Sequence, residues 1–261
     1  MTTPHTTYII CATPRSGSSV LCEGLKNTFL AGRPEEYFNT ESERIWRAKW
    51  KIDSSDSYFR WLIDHGTSPN GVFGVKIMWE QMGYCIRFLR QLPQYQNPEL
   101  SPSDFISTAF GNLFYIWITR RDKIRQAIST DIAIQTGHYA WTGIHKPSPQ
   151  IEPTFNYNRI DFLYHRILAA EDGWHQYFED AGIAPIKVIY EEFIAAYEET
   201  VGAILGHLGI PVPANHIFAP RKLKKMADVT NEEWAQRYNE MKAREAENSN
   251  RIHRQLAKWL A

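Results

Sequence analysis

A short segment near the N-terminus has residue types suited to binding a phosphate or a sulfate. It reads Arg15-Ser16-Gly17-Ser18-Ser19 and follows an apolar run at residues 8–12. Arginine supplies a permanent charge with several donors, and serine hydroxyls add hydrogen bonds that need no metal. Gly17 lets the backbone approach a ligand closely. If a helix begins here, its first backbone N–H groups add donors at the positive end of the helix dipole.

The same segment has alternative interpretations. Serine is a favoured helix-capping residue, so taken alone the segment also fits an ordinary N-cap. Its place directly after the first strand of a βαβ pattern favours anion binding. The first glycine and the lysine of the Walker A motif are absent, which disfavours a nucleotide triphosphatase. A cysteine-based phosphatase is also disfavoured, because the sixth residue after Cys11 is Gly17 and not the arginine that such a loop requires.

Further basic residues lie later in the chain. Arg120 and Arg121 follow another β-rich run, and Ser129 comes on the helical segment after them. A solvated helix start capped by Asp122 is the alternative interpretation, because charge runs are usually surface faces. The basic run 221–225 ends in Lys225, and a solvated turn explains it equally well.

Alternating β-rich and helical segments must position these residues. β-rich runs are followed each time by a segment of helical periodicity, which predicts an α/β fold with a parallel β-sheet flanked by helices. The predicted strands are Tyr8–Ala12, Val72–Met78, Leu113–Thr119 and Ile186–Tyr190, and the helices after them are Ser18–Phe29, Glu80–Leu92, Lys123–Thr136 and Glu191–Leu208. A core helix over 160–174, a long loop over 137–158 and a surface helix from Thr230 complete the prediction.

The composition limits the classes of protein to consider. The chain has 261 residues, 43% of them hydrophobic, which predicts a single domain over residues 1–261. Lysine plus arginine equals aspartate plus glutamate at 29 each, so we expect no nucleic-acid partner. No signal peptide or membrane-spanning run is evident, and we expect a cytoplasmic protein. Cys11, Cys22 and Cys85 have no metal-ligand spacing, so we expect packed thiols and no metal site.

With these motifs the sequence resembles the sulfotransferase superfamily, whose phosphosulfate-binding loop has the same strand, turn and helix order. The segment 32–38 also matches a Gly-x-Pro-x-Glu-aromatic-Phe element, and the segment 71–79 matches Gly-Val-x-Gly-x-Lys-x-Met-Trp. Both elements are typical of the trehalose 2-sulfotransferase type, a bacterial carbohydrate and glycolipid branch. With a third match from Glu232-Glu233-Trp234 to Arg237-Tyr238 near the end, the resemblance covers almost the whole chain, and the combination is more specific than any single motif.

The resemblance implies a P-loop-like nucleotide-binding architecture and a donor, 3′-phosphoadenosine 5′-phosphosulfate. The product would be adenosine 3′,5′-bisphosphate, and no metal would be needed. It assigns the donor site to Arg15, Ser16, Gly17, Ser18, Ser19, Arg120, Arg121, Ser129 and Lys225. The spacing in the family matches Arg121 to Ser129 best, whereas alignment on the Gln-Ala-x-Ser end of the motif favours Arg120, so both arginines stay candidates.

The resemblance also implies the catalytic residues. Glu36 is the general base, and Arg15 stabilises the leaving phosphate. Two interpretations stay open for Lys76: it neutralises charge on the transferred group, or it pairs with a carboxylate, as a lysine in a buried strand does. On local pattern alone, acidic residues after Pro34 also suit a helix's first turn. The implied acceptor-side residues are Pro14, Arg33, Glu35, Glu36, Tyr37 and Phe38.

The identity of the acceptor stays open. Trehalose-specific members have glutamine and glutamate where this chain has Pro14 and Arg33, so a sugar or a glycolipid is expected without further definition. The family's tendency to dimerise implies a homodimer. The rival functions are a P-loop phosphotransferase or nucleotide kinase, weakened by the missing Walker lysine, and a non-catalytic nucleotide-binding module.

Overall fold

The computed structural model describes residues 4–95, 99–137, 151–221 and 229–260, with side chains in the last range for 230–248. The strands are β1 (Thr6–Ala12), β2 (Val72–Met78), β3 (Leu113–Thr119) and β4 (Ile186–Ile189). The helices are α1 (Ser18–Asn27), α2 (Thr40–Trp50), α3 (Ser55–Gly66), α4 (Trp79–Arg90), α5 (Pro102–Phe110), α6 (Lys123–Thr136), α7 (Tyr157–Asp180), α8 (Tyr190–Ala195), α9 (Tyr197–His207) and α10 (Val229–Leu260). The chain divides into two compact units, residues 1–121 with 168–224 and residues 122–167 with 225–261.

The first unit is built on a parallel four-stranded sheet in the order β2-β1-β3-β4. All seven residues of β1 are buried, as expected for a central strand covered on both faces. Ile9 and Cys11 of β1 pack into one core, which they share with α2 to α5 and the second half of α7. The alternate residues Tyr8, Ile10 and Ala12 pack into a second core with α1, α8 and α9. Alternate side chains of β1 therefore pack against two different helical layers, one on each face of the sheet.

The carboxyl ends of β1 and β3 are tied together by one side chain. Glu171 on α7 accepts hydrogen bonds from Thr13 Oγ1 at 3.2 Å and from Thr119 Oγ1 at 2.6 Å. One turn further along α7, Trp174 Nε1 donates to the carbonyl oxygen of Ala12 at 3.0 Å. These bonds fix the points at which the chain leaves both strands for the segments that carry Arg15 and Arg120.

The second unit contains α6, the first half of α7 and α10. Its core consists of Ala127, Ile128, Tyr157, Ile160, Leu163, Ile167, Trp234, Ala235 and Tyr238. Charged contacts surround that core: Arg125 Nη2 lies 2.6 Å from Glu232 Oε1, and Arg159 pairs with the buried Asp131. The helical spacing in α7 could be predicted from the sequence because it is a local pattern. The capping box predicted at Thr230 is wrong in position, because α10 already begins at Val229.

The α/β prediction is confirmed, including all four strands and the parallel sheet. β2, β3 and α6 have the predicted bounds, whereas the single helix predicted over residues 191–208 is wrong. Ala196 leaves helical geometry at φ −129° and ψ 57°, and the segment forms α8 and α9. The prediction also lacked α2, α3 and α5, although Asn39, Ser54 and Ser101 cap them. The loop predicted over 137–158 falls largely outside the described residues, and α7 begins at Tyr157.

Candidate active site

The segment after β1 forms a tight turn that ends at the start of α1. Ser16 N donates to the carbonyl oxygen of Thr13 at 3.3 Å, and both Arg15 (φ 60°) and Gly17 (φ 95°) have left-handed backbones. Left-handed geometry is unusual for arginine and is a form of local strain that clusters at functional sites. Gly17 is the N-cap of α1 and offers no side-chain acceptor, and the first turn holds no acidic residue. The positive end of the α1 dipole therefore meets no carboxylate of its own helix.

One hydroxyl in this turn is buried without a partner. Ser16 is wholly inaccessible to solvent, and its Oγ makes no hydrogen bond to any of the described residues. A buried polar atom that lacks a partner loses its hydration without compensation, and such atoms in native folds often await a ligand or a water. An anion in the turn would supply the missing acceptor.

Two guanidinium groups converge beside the turn. The pKa of Arg15 is lowered by burial and, secondarily, by the positive charge of Arg120. The Arg120 guanidinium lies over the Tyr190 ring at 5.3 Å from the centroid, and its Nε is 3.8 Å from Glu191 Oε1. Two like charges in a partly desolvated site repel, and an anion between them relieves the repulsion.

The Tyr190 ring leaves no room for a side chain at residue 17. A Cβ added to Gly17 would lie 2.2 Å from Tyr190 Cδ2, far inside contact distance. Tyr190, at the start of α8, thus packs against the turn on one side and beneath Arg120 on the other. The sequence analysis did not single it out as a site residue. The only sequence signal is its position after β4, since ligands of open parallel sheets bind at the carboxyl ends of strands.

The two neighbouring arginine candidates are in different surroundings. Only 13% of the Arg120 side chain is exposed, whereas 59% of the Arg121 side chain is exposed and paired with Glu192. Arg120 therefore belongs to the cluster around the turn, and Arg121 lies at the surface. Ser129 is on α6 in the second unit, so its pairing with either arginine stays a prediction. Lys225 lies outside the described residues.

A carboxylate, an amine and an amide form a second cluster beside α1. Glu36 Oε1 lies 2.7 Å from Lys76 Nζ, and its Oε2 accepts a hydrogen bond from Gln81 Nε2 at 2.8 Å. Lys76 Nζ also donates to Ser19 Oγ at 3.4 Å. The lysine, 5% exposed on β2, therefore connects the first turn of α1 with Glu36.

The ion pair sets the charges of both groups. Burial acts to raise the pKa of Glu36, but the charge of Lys76 and the hydrogen bonds from Lys76 and Gln81 outweigh it and lower that pKa. Burial likewise acts to lower the pKa of Lys76, and Glu36 outweighs it, so the pKa of Lys76 is raised. At neutral pH the pair is a carboxylate and an ammonium.

The other acceptor-side predictions divide by exposure. Arg33 is exposed, and Glu35 forms an ion pair with Lys26 at 2.8 Å. Tyr37 and Phe38 are completely buried in the core, where the Tyr37 hydroxyl donates to the carbonyl oxygen of Arg33 at 2.6 Å. Their burial gives these two rings a packing role, and we leave them out of the proposed acceptor site. In the sequence they were only two adjacent aromatic residues, and aromatic residues occur both in protein cores and in sugar-binding sites.

The three cysteine thiols are buried and unpaired by disulfides. Across the described parts of the chain, no cluster of three or more histidine, cysteine, aspartate or glutamate residues has the arrangement of a metal site. Within those same residues, no helix combines the length and the apolar character needed to cross a bilayer.

Comparison with known proteins gives concordant matches. A family model described as Stf0 sulphotransferase matches residues 7–241. A trehalose 2-sulfotransferase from Mycolicibacterium smegmatis (strain ATCC 700084 / mc(2)155) is 29% identical over 259 residues, covering 89% of this chain and 94% of the relative. A trehalose 2-sulfotransferase from Mycobacterium tuberculosis (strain ATCC 35801 / TMC 107 / Erdman) is 26% identical over 261 residues, covering 88% and 93%.

Among solved structures, a sulfotransferase domain from the Synechococcus PCC 7002 olefin synthase aligns with 92% of this chain and 96% of its own length. Its TM-score is 0.41 at 14% identity, a likeness too weak to support an argument.

Proposed function

The chain belongs to the Stf0 sulphotransferase family, and from this premise we propose that it transfers a sulfuryl group from 3′-phosphoadenosine 5′-phosphosulfate to a hydroxyl group of a carbohydrate. The observation that carries the proposal is the position of Lys76. Its Nζ contacts Ser19 Oγ, at the anion-binding turn, and Glu36 Oε1, on the candidate base. Lys76 thus links the proposed donor site to the proposed proton acceptor, which supports direct transfer because such a transfer requires the two to be adjacent.

The turn supports the donor end of the reaction. Its unpartnered Ser16 hydroxyl, the start of α1 and the Arg15 guanidinium suit the 5′-phosphosulfate group. As the bond between sulfur and the phosphate oxygen breaks, negative charge grows on the leaving phosphate, and these groups stabilise it without a metal. Arg120, which faces Arg15, is the better-placed arginine for a second phosphate on the ribose.

Glu36 supports the acceptor end. The acceptor oxygen attacks the sulfur in line with the leaving group, and its proton passes to the Glu36 carboxylate. The lowered pKa of Glu36 keeps this carboxylate ionised at neutral pH, so it is ready to accept the proton. Lys76 then lies beside both the protonated base and the turn, where its charge opposes the build-up of negative charge on the transferred group.

The names of the two mycobacterial relatives support a sugar as acceptor. Arg33 is exposed, and it places a cation where trehalose-specific members have a carboxylate. A changed charge at a polar contact alters which hydroxyls are bound. We therefore propose a carbohydrate acceptor, free or as the headgroup of a glycolipid, without restriction to trehalose.

Ligand-induced stabilisation tests the donor side of the proposal. A ligand that binds only the folded state raises the melting temperature, and at a hundredfold excess over Kd it adds about 2.7 kcal/mol. We expect adenosine 3′,5′-bisphosphate to raise the Tm more than adenosine 5′-monophosphate does, because only the former occupies both anion sites. Greater stabilisation by ATP with magnesium would contradict the proposal and favour a phosphotransferase. Arg15→Met should abolish most of the shift while leaving the unliganded Tm close to that of the wild type.

A further inference from the structure

Gln81 occupies an unusual position between the backbone and the candidate base. It is the third residue of α4, where its Oε1 accepts a hydrogen bond from the Met78 backbone N–H at 3.1 Å. Its Nε2 donates to Glu36 Oε2 at 2.8 Å. A backbone N–H can only donate, so the amide oxygen must face Met78 and the amide nitrogen must face Glu36. The orientation of the Gln81 amide is therefore determined by its two partners.

The Glu36 carboxylate is consequently held from two elements at once. Lys76 on β2 contacts Oε1, and Gln81 on α4 contacts Oε2. Contacts at both oxygens fix the plane of the carboxylate, and both contacts come from donors, which favour the charged form. The ammonium of Lys76 is also shared with Ser19, whereas the described hydrogen bonds of Gln81 join only α4 and Glu36.

We propose that Gln81 is a positioning residue for Glu36, one that sets the orientation of the carboxylate and holds it in the proton-accepting form. The inference rests on the proposed function, because it assigns Gln81 a part in the reaction only if Glu36 is the base. The competing explanation is that Gln81 merely caps α4, since an N3 glutamine that bonds back to the N-cap backbone is a common start of a helix. The two explanations predict different outcomes for a variant that keeps the cap.

Few ionisable groups surround the Glu36 carboxylate in the described residues. Lys76 faces it from β2, and Cys22 faces it from α1. Burial raises the pKa of the Cys22 thiol to about 12, so this thiol is neutral near pH 7. The adjacent Glu35 is paired with Lys26 of α1. No second carboxylate is therefore hydrogen-bonded to Glu36 in the described structure. A carboxylate introduced at this place should produce a measurable change in the titration of Glu36.

Gln81→Glu separates positioning from capping. The new carboxylate can still accept the Met78 N–H bond, so the cap is retained, but it faces Glu36 with an acceptor in place of a donor. Two carboxylates in contact cannot both ionise freely, and we expect the apparent pKa of Glu36 to rise by about one unit or more. The titration is followed by ¹³C NMR of the glutamate side-chain carboxyls, with the Glu36 resonance identified by its loss in Glu36→Gln. Gln91→Glu, the same change at the exposed end of α4, is the matched control.

The kinetic expectation follows from the same contact. In Gln81→Glu the acid limb of the pH–kcat profile should move to higher pH with the Glu36 titration, and kcat at a fixed pH on that acid limb should fall by about tenfold. The Kd for adenosine 3′,5′-bisphosphate should stay at the wild-type value, because the anion-binding turn is unchanged. Transfer is measured with ³⁵S-labelled donor and the sugar on which the wild type is most active.

Two results would overturn the inference: a Glu36 titration in Gln81→Glu that matches the wild type, or a wild-type pH–kcat profile in that variant. Gln81→Met, which removes both the donor to Glu36 and the acceptor of the Met78 N–H, serves if the glutamate variant does not fold. A smaller rise in the pKa of Glu36 is expected, whereas loss of the cap alone would lower the Tm and leave that pKa at the wild-type value. Full activity of Glu36→Gln would instead refute Glu36 as the base, and failure of the wild type to sulfate any sugar would refute the proposed function. A raised Glu36 pKa in Gln81→Glu would still be measurable in that case, so the two failures are distinguishable.

Discussion

Arg120 and Arg121 are adjacent in the sequence, yet the fold gives them different electrostatic surroundings. Arg120 lies over the Tyr190 ring and close enough to Arg15 to lower the pKa of that arginine. Arg121 pairs with Glu192 at the surface, where a neighbouring anion already compensates its charge. A bound phosphate would relieve the repulsion at Arg120 and gain little at Arg121.

This difference predicts unequal effects of the same substitution. Arg120→Met should weaken the binding of adenosine 3′,5′-bisphosphate by about ten- to a hundredfold, the range expected for one charge-assisted contact of 1.5–3 kcal/mol. Arg121→Met should change the Kd by less than about threefold, as for an exposed ion pair. Isothermal titration calorimetry of both variants decides the assignment. A larger loss in Arg121→Met would show that Arg121 is the phosphate ligand.

At this scale, residue type alone indicated part of the site. Arg15, Ser16 and Gly17 could be predicted for the proposed anion site because such a site needs cations, hydroxyls and a small residue in one local segment. Gln81 and Tyr190 could not, since their roles depend on partners 45 and 173 residues away, Glu36 and Gly17. Tyr37 and Phe38 show the opposite problem, because a motif that includes buried rings does not reveal which members face a ligand.

The elements that form the site are the turn before α1 and the start of α8. Gly17 is where they meet, with a backbone φ of 95° and a space that the Tyr190 ring fills. Gly17→Ala would combine left-handed strain of about 1–3 kcal/mol with a contact that Tyr190 must move to avoid. We expect the variant to fold with a lower Tm and to bind adenosine 3′,5′-bisphosphate at least about tenfold more weakly.

Gly182→Ala is the control for this prediction. Gly182 also has a positive φ, 61°, but no atom lies within 4 Å of an added Cβ, so it tests backbone strain without the contact. Its Tm should fall while its ligand affinity stays near that of the wild type. Equal losses of affinity in both variants would mean that the Tyr190 contact has no role in the anion site. Melting curves and calorimetry supply both quantities.

Whole helices and strands were easier to predict from the sequence than the residues at which one element ends and the next begins. The strands could be predicted because a buried parallel strand is a short, almost continuous apolar run bounded by turn residues. The break between α8 and α9 was not, since Glu191 to Leu208 keeps helical periodicity through Ala196. Likewise α2, α3 and α5 have good capping residues, but their apolar faces become informative only when the core that they cover is known.

On the scale of the molecule, a chain with no net charge concentrates cations at one edge of a sheet. Arg15 follows β1, Arg120 follows β3, and Lys76 lies two residues before the end of β2. These are the carboxyl ends of three neighbouring parallel strands, where open α/β sheets bind their ligands. The net charge of the whole chain, which is zero, therefore gave no indication of the local positive charge at this edge of the sheet.

Transfer of the labelled sulfuryl group to a sugar, with Glu36 as the varied residue, tests this account most directly. With ³⁵S-labelled 3′-phosphoadenosine 5′-phosphosulfate and a panel of mono- and disaccharides that includes trehalose, the wild type should label at least one sugar. Glu36→Gln should lose about 10²–10⁴ in kcat with donor affinity retained, and Glu41→Gln, the same change at an exposed carboxylate on α2, should match the wild type. Failure of the wild type to label any sugar in the panel would contradict the account, and so would transfer by Glu36→Gln at the wild-type rate.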